Sequence, residues 1–458
     1  MQWTVRLEAR TDRGEAETTE LVTFSRPVVA GTLADLGLAL AEAKAILAKL
    51  QRIMVQSQAA EYVACHRVCP HCRVPRPLKD RRSRRLRTLF GTVEVEAPRF
   101  RVCRCCPPTH ATAGTFSPVC ALLTARGTPE LARVEAELGA RTSFREAARI
   151  LETLLPASPA NHEGVRTRTH AAALRLEAAD RQTAAAVVAK DTAAADASRP
   201  VAMLDGAYVR AVPGHQVRNF EVICGKVEHE GRASRRFALV RSVAEQPHTL
   251  LRAALLDQDW QEGRPVTAVS DGDPALPALV RSASKSSVES ILDWFHLSMR
   301  VRHVEQTLLG LAALEPVDRA PLGHAHADVE RLRHLLWNGK HGQACQALGR
   351  IVSWLENAAL LNDVAVAAKA GRLVAHCTEL RGYIENNEDA LIDYGRRYRA
   401  AKPISSSRAE GTVNQLVNAR MNKRRQMRWS PRGAHRVLQV RAAVLDGRFG
   451  QQAIQLAA

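Results

Sequence analysis

The hydrophobic pattern of this chain changes period at residue 201, and that change constrains the fold more than any other feature. Apolar residues alternate or cluster as they do in β-strands in five runs, at 201–212, 217–228, 235–243, 265–270 and 288–292. From about residue 295 to 400 their spacing is helical, and strand signals are few. The pattern predicts a strand-rich α/β region that ends near residue 294, followed by an all-helical region at about 295–400.

The region before residue 199 predicts further domains. A chain of 458 residues is long enough for several of them. We predict an N-terminal strand and helix region at 1–62, a cysteine-rich β module at 63–125 and a helical region at 126–198. The expected fold class is therefore an α+β multidomain protein.

Three carboxylates stand where predicted elements begin, end or are interrupted. Asp205 interrupts the first strand-like run, Asp271 follows the fourth, and Glu410 opens a basic, helix-like stretch. Carboxylates gathered from neighbouring elements form the oxygen-rich sites that Mg²⁺ prefers, and such sites support phosphodiester chemistry. Two alternatives stay open: Asp273 can replace Asp271 as a ligand, and Asp205 and Asp271 each precede a glycine, as in simple turns.

The chain carries a large excess of positive charge. Lys and Arg number 65 against 47 Asp and Glu, which gives a net charge of +18 and a pI of about 10.0. Such an excess favours nucleic acid as a partner over anionic lipid or a merely basic surface. Among the basic residues that follow Glu410, those predicted to contact DNA are Arg420, Lys423, Arg424 and Arg425.

Six of the ten cysteines lie within residues 65–106, and they are spaced as metal ligands. Two closely spaced groups flank a predicted hairpin, which is typical of a structural Zn²⁺ site with four thiolates. The predicted ligands are Cys69, Cys72, Cys103 and Cys106. The alternatives are Cys105 within the second group, and Cys65, His66, His71 or His110 as substitutes.

Two segments are predicted to contact the phosphates or grooves of DNA. The first is a basic strand between the cysteine groups, with Arg81, Arg82, Arg84 and Arg85, for which a solvated charged loop is the alternative. The second is a pair of helices within 128–180, which we interpret as helix-turn-helix-like. Arg166 and Arg168 lie near the start of its second helix.

Three motifs resemble those of a known enzyme family. Val269-Ser-Asp-Gly272, Leu292-Asp-Trp-Phe-His296 and Ser405-Ser-Ser-Arg-Ala-Glu-Gly-Thr-Val-Asn414 are similar to motifs of bacterial insertion-sequence DDE transposases of the ISKra group, and more distantly of Mutator-like elements. The resemblance implies an α/β ribonuclease-H-like catalytic domain formed by 199–294 and 401–458, with an all-helical insertion at 295–400 between the second and third acids. It also implies that Asp205, Asp271 and Glu410 form a catalytic triad holding Mg²⁺ or Mn²⁺, with His296 in support.

The resemblance also implies what the protein does. We expect a DNA transposase that binds the terminal inverted repeats of an insertion sequence, cleaves there and joins the ends to target DNA, acting as a homo-oligomer on double-stranded DNA. The alternatives are a transposase-derived DNA-binding regulator and a ribonuclease-H-like nuclease without strand transfer. No apolar run reaches the ~18 residues of a membrane span, so we expect no membrane partner and a cytoplasmic, nucleoid-associated location in a bacterium.

Overall fold

The computed structural model describes residues 1–10, 16–26, 36–103, 114–156, 161–185, 199–314, 319–357, 363–405, 411–422 and 427–450, together with residues 33 and 105. The chain divides into two compact units. The first comprises residues 1–172 with those from 448 onward, and the second comprises residues 173–447. Their boundary falls within one helix, which therefore contributes to both units.

The first unit opens with an antiparallel ribbon and then combines a long helix with a small sheet. The ribbon is β1 (Gln2–Arg10) with β2 (Ala16–Ser25), and the helix is α1 (Leu40–Arg67). The sheet has the order β3 (Leu78–Thr88), β4 (Gly91–Arg101), β5 (Thr115–Phe116), with antiparallel pairing throughout. The helices that follow are α2 (Pro118–Leu122), α3 (Pro129–Arg141), α4 (Phe144–Leu154) and α5 (His162–Ala185).

Side-chain alternation on β4 builds the core between α1 and the sheet. Val93, Val95 and Ala97 are buried on one face of β4 and cluster with Ala59 of α1 and Val119 of α2. The two glutamates between these β4 residues are exposed. An antiparallel strand with one solvated face shows this alternation, so the hairpin presents a polar outer face to solvent.

A buried ion cluster links β3 to helices α3 and α5. The Glu135 side chain is only 1% exposed, with Arg168 Nη1 at 2.8 Å and Arg87 Nη2 at 3.7 Å from its carboxylate oxygens. Burial raises the pKa of Glu135, and the two guanidinium charges oppose that rise. Because a buried charge without a partner is strongly destabilising, this cluster holds the basic hairpin against the helices.

The second unit contains a five-stranded mixed sheet at the five predicted strand positions. Its strands are β6 (Val201–Arg210), β7 (Asn219–Glu228), β8 (Arg235–Val240), β9 (Val266–Ser270) and β10 (Val288–Leu292). Their order in the sheet is β10-β9-β6-β7-β8. β7 runs antiparallel to β6 and β8, whereas β9 runs parallel to both β6 and β10.

Helices cover both faces of this sheet. They are α6 (Pro247–Leu256), α7 (Ala275–Ser284), α8 (Trp294–Ala312), α9 (Arg319–Trp337), α10 (His341–Asn357), α11 (Val364–Asn386), α12 (Tyr394–Arg399) and α13 (Pro431–Leu445). Successive side chains on a strand point to opposite faces. Leu204 on β6 therefore packs with α6 and α7, whereas its neighbour Met203 packs with the helices α8–α11. The expected mixed α/β composition is confirmed.

Arg168→Ala should destabilise the first unit by about 3 kcal/mol, because it leaves the buried Glu135 carboxylate with only the more distant Arg87. Arg166→Ala is the matched control, since Arg166 is exposed and pairs with the exposed Glu163. Calorimetric unfolding of the full chain compares the two variants. Equal stability of the two variants would contradict a structural role for Arg168.

Candidate functional site

Strand register brings three carboxylates level with one another at one edge of the five-stranded sheet. Met203 of β6 lies opposite Val269 of β9, so Asp205 and Asp271, each two residues further on, are level across the two parallel strands. Leu292 of β10 lies opposite Ser270, so Asp293 is level with Asp271 in turn. The edge where parallel strands end is a common ligand site in α/β sheets.

Asp205 is the most strongly perturbed of these acids. Its side chain is buried, and burial is the first cause that raises the pKa of Asp205 to about 6. The negative charges of Asp271 and Asp293 raise it further, whereas the nearby His296 lowers it. Carboxylates that resist ionisation together form a site that a cation would stabilise.

Asp293 is not among the predicted site residues, although it stands in the same motif as His296. Asp293 is fully buried and caps α8, because its Oδ1 accepts a hydrogen bond from the backbone N–H of Phe295 at 2.8 Å. Its Oδ2 lies 3.8 Å from Nε2 of His296. The Asp-x-x-His spacing that drew attention to His296 was the signal that could have found it.

Asp271 and Asp273, the two alternatives for the second acid, have different surroundings. Asp271 acts electrostatically on Asp205. In contrast, Asp273 Oδ1 accepts a hydrogen bond from the N–H of Ala275 at 2.9 Å, and its Oδ2 lies 4.0 Å from Arg241. Asp273 therefore stabilises the start of α7. Asp271 lies with Asp205 and Asp293 at the end of the parallel strands, which we call the acidic edge.

Helices α8 and α11 brace the loop that carries Asp271. The Tyr383 hydroxyl donates to the backbone carbonyl oxygen of Asp271 at 2.6 Å, and Arg300 lies 4.2 Å from the centre of the tyrosine ring. Burial raises the pKa of Tyr383 to about 12, so its hydroxyl stays a donor. Gly272 has a φ of +95°, and a Cβ there would lie 2.9 Å from Asn387 Oδ1. The loop therefore requires glycine at this position.

The predicted third acid lies outside the described residues. Glu410 belongs to the segment 406–410, which the structure does not describe, and the same holds for Lys423, Arg424 and Arg425. The chain between these two segments includes a π-helical turn at Asn414–Asn418. Its end approaches β6, since Asn422 Nδ2 donates to the carbonyl oxygen of Tyr208 at 2.9 Å.

Two arginines that were predicted to contact DNA pack against other side chains of the protein. Arg420 is fully buried, with its guanidinium 4.9 Å from the centre of the Trp429 ring. Arg168 is paired with the buried Glu135. Charge and spacing in a sequence do not reveal a guanidinium packed on an aromatic ring or on a buried acid.

The predicted DNA contacts on β3 are exposed. Arg81, Arg82, Arg84 and Arg85 follow one another along β3 with exposed side chains. Arg81 pairs with Glu96 of β4 at 3.1 Å, and both side chains are at least 70% exposed. Because exposed pairs of this kind are weak, these guanidinium groups can be transferred to phosphates at little cost.

Four cysteines in the first unit form a compact cluster. The sulfur atoms of Cys69, Cys72, Cys103 and Cys105 all lie within 4.8 Å of one another. The Cys103 sulfur is 3.2 Å from that of Cys69, and the Cys69 and Cys105 sulfurs are 3.8 Å apart. A tetrahedral Zn²⁺ with bonds of about 2.3 Å holds its sulfur ligands roughly 3.8 Å apart. The cluster therefore has the chemistry and size to hold a metal such as zinc.

Three of the four predicted zinc ligands are in this cluster, and Cys105 is the fourth member. Cys106 and the alternative His110 lie outside the described residues. The backbone N–H of Cys72 donates to the Cys69 sulfur and lowers the pKa of Cys69 to about 6, against the opposing effect of burial. Since the thiolate is the form that binds metal, this turn favours coordination.

No protein-family model matches this sequence, and no curated protein is significantly similar to it. Among the described residues, no helix combines the length and the apolar character needed to cross a bilayer. The functional interpretation therefore depends on the acidic edge, the cysteine cluster and the basic surface.

Cys72→Ser should release the metal and destabilise the first unit, because metal binding and folding are coupled in such sites. Cys65→Ser is the matched control, because Cys65 lies near the end of α1, four residues before Cys69, is exposed, and is not among the clustered cysteines. Elemental analysis gives metal content per chain, and thermal unfolding gives stability. Unchanged metal content in Cys72→Ser would refute the assignment.

Asp205→Asn should stabilise the metal-free protein above pH 6 and have little effect near pH 4. The folded-state pKa of Asp205, about 6, exceeds the value of about 3.9 for an unperturbed Asp. The destabilisation by this carboxyl group therefore grows as the pH rises from about 3.9 to about 6, is complete above pH 6 and is absent below the unfolded pKa. Removing the charge should contribute up to about 3 kcal/mol.

Thermal unfolding at several pH values, without and with Mn²⁺ or Mg²⁺, measures this effect. The cations should stabilise the wild type at pH 8, because they offset the repulsion between the acids, and they should have much less effect on Asp205→Asn. Asp273→Asn, in the neighbouring loop, controls for a general change of charge. An Asp205→Asn variant less stable than the wild type at pH 8 would contradict this account.

Proposed function

We propose that the protein is a DDE-type DNA transposase with a ribonuclease-H-like catalytic domain. The observation that carries this proposal is the level placement of Asp205, Asp271 and Asp293 at one edge of the sheet, with a raised pKa at Asp205. Carboxylates gathered in this way suit divalent cations that act on phosphodiesters. The Asp-Gly and Asp-x-x-His motifs that resemble those of insertion-sequence transposases stand at this same edge.

The topology of the second unit supports the ribonuclease-H-like assignment. Three sequential antiparallel strands, β6 to β8, are followed by two strands that lie parallel to β6, with the first acid on the central strand. The helices α8–α12 follow β10 and precede the segment that carries Glu410. This arrangement suits a catalytic domain with a helical insertion between its second and third acids.

Each proposed active-site residue has a distinct role. Asp205 and Asp271 are ligands for Mg²⁺ or Mn²⁺, and Glu410 is the proposed third ligand. When bound, such ions lower the pKa of an attacking water or 3′-hydroxyl and neutralise the leaving oxygen. His296 and Asp293, 3.8 Å apart, orient each other beside Asp205. Tyr383 fixes the position of Asp271 through its hydrogen bond to the backbone.

DNA is the proposed partner of the first unit. Its exposed arginines on β3 and Arg166 on α5 would contact the phosphates of the terminal inverted repeats. The cysteine cluster, holding zinc, would brace the base of the β3–β4 hairpin that presents them. A reaction that joins two element ends requires at least two copies of the chain, so we propose a homo-oligomer on DNA, located at the bacterial nucleoid.

Asp271→Asn should reduce strand cleavage by more than about 100-fold, because even residues outside the ligand set of a metal site contribute 10–100-fold. A labelled duplex carrying one end of the element that surrounds the gene is the substrate, with Mg²⁺ present. DNA affinity, measured by mobility shift at the same salt concentration, should be unchanged. Asp273→Asn is the matched control and should retain cleavage, whereas Glu410→Gln should lose it.

The products of this assay separate the alternative functions. Joining of cleaved ends to a supercoiled target supports a transposase, and cleavage without joining supports a nuclease. Binding without cleavage supports a DNA-binding regulator. Full activity of Asp271→Asn would refute the proposed site.

A further inference from the structure

The N-terminal ribbon has an edge available for pairing. β1 pairs with β2 along one side, and no strand in the described part of the chain pairs with its other side. Packing against α1 involves β2. A two-stranded ribbon is marginal in water, and an unpaired edge is a template for a further strand.

The two faces of β1 differ sharply. Trp3, Val5 and Leu7 alternate along one face, where the Trp3 ring stacks on Phe24 of β2 with the ring centres 5.9 Å apart. The opposite face is fully exposed and carries Thr4, Arg6, Glu8 and Arg10. A partner strand must therefore match an apolar face and a charged face at once.

We propose that two copies of the chain pair through β1, antiparallel, about a two-fold axis that passes through Leu7. In this register Arg6 of each copy lies opposite Glu8 of the other. Leu7 then meets Leu7, and Val5 meets Ala9 on the same face. The β1 strands complete a four-stranded sheet, in which each copy contributes its ribbon.

Charge selects this register over its neighbours. An axis at Arg6 would place the two Arg6 side chains opposite each other, and an axis at Glu8 would do the same with two carboxylates. An axis between two residues would set the apolar face of one copy beside the charged face of the other. Axes at Val5 and at Leu7 both keep matching faces together, but only the axis at Leu7 sets opposite charges, Arg6 and Glu8, across from each other.

Exposed apolar side chains in the N-terminal part of the chain are consistent with association. Large apolar side chains that are at least 40% exposed are frequent among the first 54 residues: Met1, Trp3, Leu33, Leu36, Leu38, Leu40 and Met54. The pairing itself is argued from the unpaired edge and the side chains of β1. It would hold for a chain with any function, although it supplies the second copy that joining two DNA ends requires.

Charge reversal tests the register directly. Arg6→Glu and Glu8→Arg should each weaken self-association by roughly tenfold or more, because each creates two like-charge pairs across the two-fold axis. A mixture of the two variants should associate again, because each variant then meets the opposite charge in the other. The double variant should associate like the wild type. Glu17→Arg on β2 is the control for a change of net charge.

Sedimentation velocity of the full-length protein over a concentration series, without DNA and without added Mg²⁺, measures the dissociation constants. Circular dichroism confirms that each variant is folded. A wild type that stays monomeric, single variants that associate like the wild type, or a mixture that fails to associate would overturn the proposal. Because cleavage is not measured, failure of the proposed reaction would leave this result unaffected.

Discussion

Repulsion among buried carboxylates is the constraint on which the second unit depends. Burial and the charges of Asp271 and Asp293 raise the pKa of Asp205 to about 6, so the acids would separate if their backbone allowed it. Strand register prevents this separation. The backbone N–H of Asp293 also donates to the carbonyl oxygen of Ser270 at 2.8 Å, which fixes the end of β10 against the end of β9.

The helices α8–α12 hold this edge in place as well as covering one face of the sheet. Two tyrosines reach back to it: Tyr383 donates to the Asp271 carbonyl at 2.6 Å, and Tyr394 donates to the Leu292 carbonyl at 2.8 Å. Both hydroxyls bind backbone at the end of a strand, directly beside an acid. A catalytic role for the acids would thus depend on a region that supplies no ligand itself.

The sequence pattern predicted those features of the fold that depend on residues close together in the sequence. The period of apolar residues located all five strands of the central sheet, and cysteine spacing predicted three members of the thiol cluster. The pattern did not predict the side-chain environments that depend on contacts between residues distant in the sequence. In the sequence, Arg420 and Arg168 look like surface cations. In the structure, Arg420 packs on the Trp429 ring and Arg168 pairs with the buried Glu135.

Several hydrogen bonds of the second unit join residues that are far apart in the sequence, and this separation determines when they can form during synthesis. Tyr383 meets the Asp271 loop across 112 residues, and the His435 ring accepts a hydrogen bond from the N–H of Val240 across 195 residues. During translation, Asp205 and Asp271 are therefore synthesised well before Tyr383, whose hydroxyl holds the Asp271 loop. The order of translation therefore delays assembly of this edge of the sheet until the later segments of the chain have emerged.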